Sequence, residues 1–291
     1  MLTYSILAGL LFGLYFGLVG LGLNLIFGVM RIVNLAHGDF IMLGAMIAVG
    51  LYGAYAINPV LAAVASLFVF IAIGIPLYFA LVPRLLRSAD PEMLSIILFF
   101  GLSQFIEAVT IIVVGPSARS IPGNVLGAQP FHIGDNTFPA AWLGSAIASV
   151  VVVALVFFYL YRTRIGRLTR AVMSQRDEAL AAGINVARVS ALAFGIGLGV
   201  AAVAGAFAPL MLGSVTPAIG VSLTVVSFTV IIIGSLGSPL GTVLGGLIYG
   251  MALMVMQTYL SSWSGLFPYV LLIAILLVRP SGLLGQKVRR V

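Results

Sequence analysis

Asn34, His37 and Asp39 fall within the stretch RIVNLAHGDF (Arg31 to Phe40), between two of the most apolar segments of the chain. Charged residues make up only 7% of the 291, so their concentration here is a chemical signal. A carboxamide, an imidazole and a carboxylate can contact a polar solute or relay a proton. They can equally satisfy the backbone groups freed where one membrane helix ends and the next begins. Both readings stand at this stage. A metal site does not, because His37 and Asp39 at i, i+2 point to different sides of a helix and no further ligands converge.

A second polar set lies in FFGLSQFIEAVTI, where Ser103, Gln104, Glu107 and Thr110 share one helical face. A carboxylate within the bilayer is costly and faces the bundle interior or a water-filled cavity. Glu107 therefore either ties helices together or lines the path of a polar solute, and a proton relay is a third use. No hydrolytic triad is supported and no catalytic residue is assigned. The chain has no cysteine, so thiolate chemistry and disulfides are excluded. A phosphate-binding loop needs G-x-x-x-x-G-K-[ST], and the one lysine, Lys287, sits in LLGQKVRR, which does not fit. No cofactor is expected.

The elements that hold these residues are membrane helices. The chain is 62% hydrophobic with a mean hydropathy of +1.24, far outside the range of a water-soluble surface. The first residues, MLTYSILAGLLFG, lack a basic region before the apolar run and are read as a retained first span. Apolar runs place spans near 5–28, 38–53, 60–82, 93–114, 140–161, 189–212, 221–236, 241–260 and 266–279. The second, seventh and ninth are short, so the expectation is eight or nine spans in an all-α bundle forming one transmembrane domain over 1–291.

Basic residues orient this bundle. The segments around 29–37, 83–92, 162–188 and 279–291 hold thirteen of the fourteen Lys and Arg, and only Arg119 falls elsewhere. The positive-inside rule makes that side cytoplasmic, with the N-terminus outside, the C-terminus inside and an odd number of crossings. The net charge of +7 is thus spent on topology, and no nucleic-acid partner is expected. The outer face carries one substantial loop, 115–139, whose four prolines and four glycines predict an ordered but irregular excursion. His132 and Asp135 within it are read as solvated loop residues.

Small residues at spacing four mark where membrane helices come close. They recur at Gly9, Gly13 and Gly17, at Gly195 and Gly199, at Ala201 and Gly205, and at Gly246 and Gly250. The stretch GSLGSPLGTVLGG, with Gly234, Gly237, Pro239, Gly241 and Gly245, interrupts an apolar region as broken transporter helices do. Whether it and the opening stretch form an internal repeat is left open. The longest polar stretch, Arg162 to Ser190, has six arginines, one acidic pair (Asp177, Glu178) and no proline. Ala171, Val172, Leu180, Ile184 and Val189 could give it an apolar stripe, and Gly183 can end a short helix. Retained positive charge explains part of this pattern, and a docking surface for a cytosolic partner explains the rest.

Three motifs in this order, GLNLIFGVMRIVNLAHGDFIMLGA, EALAAGINVARV and FTVIIIGSLGSPLGTVLGG, resemble the permease subunits of high-affinity branched-chain amino acid ABC importers. The likeness spans nearly the whole chain, and its compact length resembles the smaller of the two permeases usually paired there. Where the family motif often has Glu, this chain has Asp39, which keeps the charge. The resemblance implies a heterodimer with a second permease, two cytosolic ATP-binding subunits and an extracytoplasmic solute-binding protein, in the inner membrane. It also implies that 162–188 is the coupling loop, with Asp177, Glu178, Ala179, Ala182, Gly183 and Ile184 docking the ATPase, and that the chain is itself no enzyme. Asn34, His37, Asp39, Ser103, Gln104 and Glu107 are then the expected substrate pathway. The alternatives are a permease for urea or short amides, an ion-coupled secondary transporter using Glu107 or Asp39, and a structural subunit with no pathway.

Overall fold

Helix starts follow the polar residues that punctuate the apolar runs. In a computed structural model describing residues 1–127, 129–279 and 282, Asn58, Asp90, Asn185 and Ser238 each accept a hydrogen bond from a first-turn amide. Proline occupies the opening turn of three of those four helices, where its missing N–H costs nothing. The order is α1 (Leu2–Met30), α2 (His37–Tyr55), α3 (Pro59–Leu85), α4 (Pro91–Val114), α5 (Ala140–Arg162), α6 (Arg164–Ser174) and α7 (Arg176–Ala181). Then come α8 (Val186–Leu212), α9 (Ile219–Gly234), α10 (Pro239–Tyr259) and α11 (Phe267–Val278).

Seven of these are long and apolar enough to cross a membrane, and α9 (16 residues) and α11 (12 residues) are shorter apolar helices. The chain is a multi-pass helical membrane protein. The second expected span, read as short, extends over 19 residues, because Gly38 and Asp39 lie inside its first turn and Gly53 does not end it. Between α4 and α5 the fold departs from all-α: β1 (Phe131–Ile133) and β2 (Asn136–Phe138) form a hairpin about Gly134, and Arg119 pairs with Val215 of the α8–α9 link. The basic residues Lys287, Arg289 and Arg290 of the expected cytoplasmic tail lie outside the described residues.

Helices α1 and α8 are apolar all round and are the ones most enclosed by the rest of the protein. Glycine lets their neighbours reach them. A Cβ on Gly246 would lie 2.3 Å from the Gly17 nitrogen, and one on Gly250 2.3 Å from the Gly13 nitrogen, so α1 and α10 meet backbone to backbone. On the other side, a Cβ on Gly205 would lie 1.9 Å from the Ile41 carbonyl oxygen, which sets α2 against α8. Helices α3, α4 and α5 instead turn most of their apolar surface outward, the pattern lipid requires.

Candidate functional site

The opening cluster is built by a turn. Arg31 ends α1 in a left-handed conformation (φ 52°), its amide bonded to the Phe27 carbonyl. Asn34 Oδ1 accepts from the Ala36 amide at 3.1 Å and folds the chain toward α2. His37 directs Nε2 to the Val19 carbonyl at 3.3 Å, which ties the α2 start to mid-α1. The Gly38 amide donates to Thr224 Oγ1 at 2.8 Å, and that hydroxyl donates in turn to the Leu35 carbonyl at 3.0 Å, so one α9 side chain bridges the turn. Asn34 and His37 thus each bond backbone about the turn, while Asn34 Nδ2 and His37 Nδ1 are buried without a partner among the described residues.

Asp39 has no such task. It is fully buried, and neither carboxylate oxygen has a hydrogen-bond partner. Gly220 of α9 closes one side, where a Cβ would lie 2.1 Å from Oδ1. On the other side Asp39 faces the Ser103 hydroxyl and the Glu107 carboxylate of α4. Ser103 and Thr110 are buried on that helix and Glu107 is half-buried, whereas Gln104 is exposed and stands apart from the group. The first-turn amides of α2 are engaged with Asn34, Thr224 and Ala36, so the helix supplies its dipole to Asp39 and no free donor.

The Gly-rich stretch forms a four-residue link between α9 and α10 with Ser235 (φ 112°) and Gly237 (φ 78°) in its bend. The two helices then pack against each other, since a Cβ on Gly234 would lie 2.0 Å from the Gly241 carbonyl and one on Gly245 2.3 Å from that of Val230. Pro239 opens α10. Buried Asn24 of α1 locks the link, donating to the Ser235 and Ser238 carbonyls at 3.2 and 3.3 Å and to Thr242 Oγ1. Neither Asn24 nor Thr224 was singled out from the sequence. Asn24 is the one polar side chain in GLNLIFG, and that was the signal for it; Thr224 offers none.

The 162–188 segment is a helical elbow. Thr163 Oγ1 caps α6 by accepting from the Gly166 amide at 2.9 Å and donates to the Tyr159 carbonyl at 2.7 Å. Arg170 Nε donates to the Leu160 carbonyl at 3.0 Å while its guanidinium lies 4.5 Å from the Tyr161 ring centre. These bonds stitch α6 to the end of α5. Helix α7 follows, with Asp177, Glu178, Ala182 and Gly183 exposed, Ala179 buried and Ile184 half-buried. Gly183 ends it at φ 80° with open space around it. Leu180 projects from α7 with 64% of its surface exposed, unlike Val172 and Val189 of the same expected stripe, which are buried.

Elbow and link meet. Arg31, Tyr161, Arg170, Met173 and Ser174 face Ser235–Pro239 across a cavity of about 580 Å³. The tip of Met173 would come within 2.4 Å of a Cβ on Gly28, whose α-carbon side also faces Gly237. Among the described residues no group of three or more His, Cys, Asp or Glu could hold a metal ion.

A family model described as branched-chain amino acid transport system / permease component matches residues 5–276. The chain is 29% identical to the high-affinity branched-chain amino acid transport system permease protein LivH of Escherichia coli strain K12, over 96% of this chain and 94% of that one. It is 30% identical to the corresponding permease protein BraD of Pseudomonas aeruginosa, with the same shares covered, and 28% identical to a probable LivH of Methanocaldococcus jannaschii, over 92% and 88%. No solved structure matches. With the match running from the first turns of α1 to the last of α11, the chain belongs to the permease-component family of branched-chain amino acid transport systems.

Proposed function

We propose that the protein is a membrane permease subunit of an ABC importer that moves branched-chain or other small amino acids inward, on ATP hydrolysed by partner subunits. The observation that carries the reading is the elbow: α7 offers an exposed apolar anchor, Leu180, beside an acidic turn, on a base fixed to α5 and abutting the α9–α10 link. The resemblance assigns this segment to coupling, and a chain without a phosphate-binding loop needs such a surface. Partners are a second permease, two cytosolic ATP-binding subunits and an extracytoplasmic solute-binding protein.

In this reading the chain crosses nine times, N-terminus outside and C-terminus inside, with the 115–139 loop outside and the 162–188 elbow in the cytoplasm. Helix α9 rises about 24 Å, short of the roughly 30 Å hydrocarbon core, so it and α11 complete their crossings with flanking turns. The clustering of Arg31 and Arg170 at one cavity and of Arg119 with Val215 at the other end supports this assignment. The pathway runs past Asp39, Ser103 and Glu107, with Asn34 and His37 holding the α1–α2 turn in place and Gln104 on the outer flank of α4. ATP-driven motion of α7 reaches the pathway through α6, Met173 and the glycines of the α9–α10 link. The test is leucine uptake by the reconstituted complex. Uptake requires ATP on the cytoplasmic side and falls at least about tenfold in Leu180→Asp with the protein still in the membrane; uptake that needs no ATP, or is indifferent to Leu180, refutes the reading.

A further inference from the structure

A buried carboxylate without a donor is costly unless something outside the fold completes it. Asp39 is such a group: it is wholly enclosed, neither oxygen has a partner of good hydrogen-bond geometry, and among the described residues no Lys or Arg pairs with it or with Glu107. The enclosing walls differ in firmness. On α9, Gly220 and Thr224 are locked to the α2 start by the Gly38 and Leu35 hydrogen bonds. On α4, the Ser103 hydroxyl and the Glu107 carboxylate face Asp39, the hydroxyl alone close enough to donate to it, and most of that helix's surface faces outward. Helix α4 is therefore the less firmly tied wall.

We infer that Asp39, Ser103 and Glu107 form a receptor for the ammonium group of the transported solute, closed in this structure and opened when α4 moves away from α2. A primary ammonium carries three N–H donors and one positive charge. It can satisfy the Asp39 oxygens and the Ser103 hydroxyl together while balancing the charge of one carboxylate. Urea, amides and sugars offer donors without the charge and would leave the buried Asp39 carboxylate uncompensated. The inference rests on the amino acid import reading and narrows it: the chain itself selects for an α-amino group, in addition to any selection by a binding protein.

The experiment uses the complex with its second permease and ATPases in lipid nanodiscs, without binding protein. Binding of radiolabelled leucine is competed with isoamylamine, which lacks the carboxylate, and with isocaproate, which lacks the ammonium. The expected result is competition by isoamylamine and none by isocaproate, with leucine affinity reduced about tenfold or more in Asp39→Asn and in Glu107→Gln. Glu107 is half-buried, so the second variant reads the site without disturbing a core position. Equal competition by both analogues, absence of leucine binding, or wild-type affinity in both variants overturns the ammonium site. Failure of ATPases to co-purify with the wild-type chain is a different outcome and would strike the import reading instead.

Discussion

Replacing Gly38 by alanine should be among the most damaging single-methyl changes in the chain. The new Cβ would lie 1.9 Å from the Gly220 carbonyl oxygen and 2.5 Å from both the Thr224 nitrogen and Oγ1. Two of these atoms are backbone of α9, so relief requires a shift of about 1.5 Å between α2 and α9 to restore ordinary contact. Overpacking of this kind costs about 1–3 kcal/mol. The shift also breaks the 2.8 Å bond from the Gly38 amide to Thr224, leaving a buried donor unpaired at a further cost of about 1–3 kcal/mol. The sum is about 2–6 kcal/mol, or a fall in melting temperature on the order of 5–20 °C. Gly50 on the same helix is the control, because nothing lies within 4 Å of its Cβ position. Gly50→Ala should leave stability unchanged or raise it by up to about 1 kcal/mol through helix propensity. Thermal unfolding of the purified variants in one detergent measures both. A Gly38→Ala protein that melts within about 1 °C of wild type would refute the tight α2–α9 joint on which the enclosure of Asp39 depends.

Other consequences follow from the α9–α10 link. Asn24→Ala should cost about 1–2 kcal/mol by removing its bonds to the link, the Ser235 and Ser238 carbonyls keeping the Ser238 and Thr242 amides as donors, and Asn24→Asp should cost more by setting a carboxylate against those carbonyls; unfolding midpoints rank the two. Gly28→Ala should cost less than about 1 kcal/mol, since the clash is with the end of a flexible methionine. Met173→Ala removes the elbow's contact with α1 beside the link, so leucine uptake should fall while ATP hydrolysis by the complex persists.

Much of this architecture could be read before any coordinates. The glycine spacings 9/13/17 and 246/250 turn out to be two sides of one seam, because small residues are the local signature of close helix approach. Helix type came from hydropathy, while span number was less legible: α9 and α11 are too short for the apolar run alone to decide whether each crosses. The hairpin around Gly134 was missed since its strands are three residues each, below the length at which alternation is visible. Within the site, the shared face of Ser103, Glu107 and Thr110 was legible as helical periodicity. That Asp39, 64 or more positions earlier, faces it depends on a tertiary contact between α2 and α4 that no local pattern encodes. Likewise the exposure of Leu180, against the burial of Val172 and Val189, depends on how α6 folds back on α5.

The central claim, that this chain is driven through its elbow by ATPases it does not contain, is tested most directly by co-purification. The complex is isolated from membranes in mild detergent with the wild-type chain, with Glu178→Arg and with Leu180→Asp, and the ATP-binding subunits are quantified against the permease. The account predicts stoichiometric ATPase with the wild type and loss of about tenfold or more with each variant, at unchanged permease recovery. Full retention of the ATPases by both variants would contradict it.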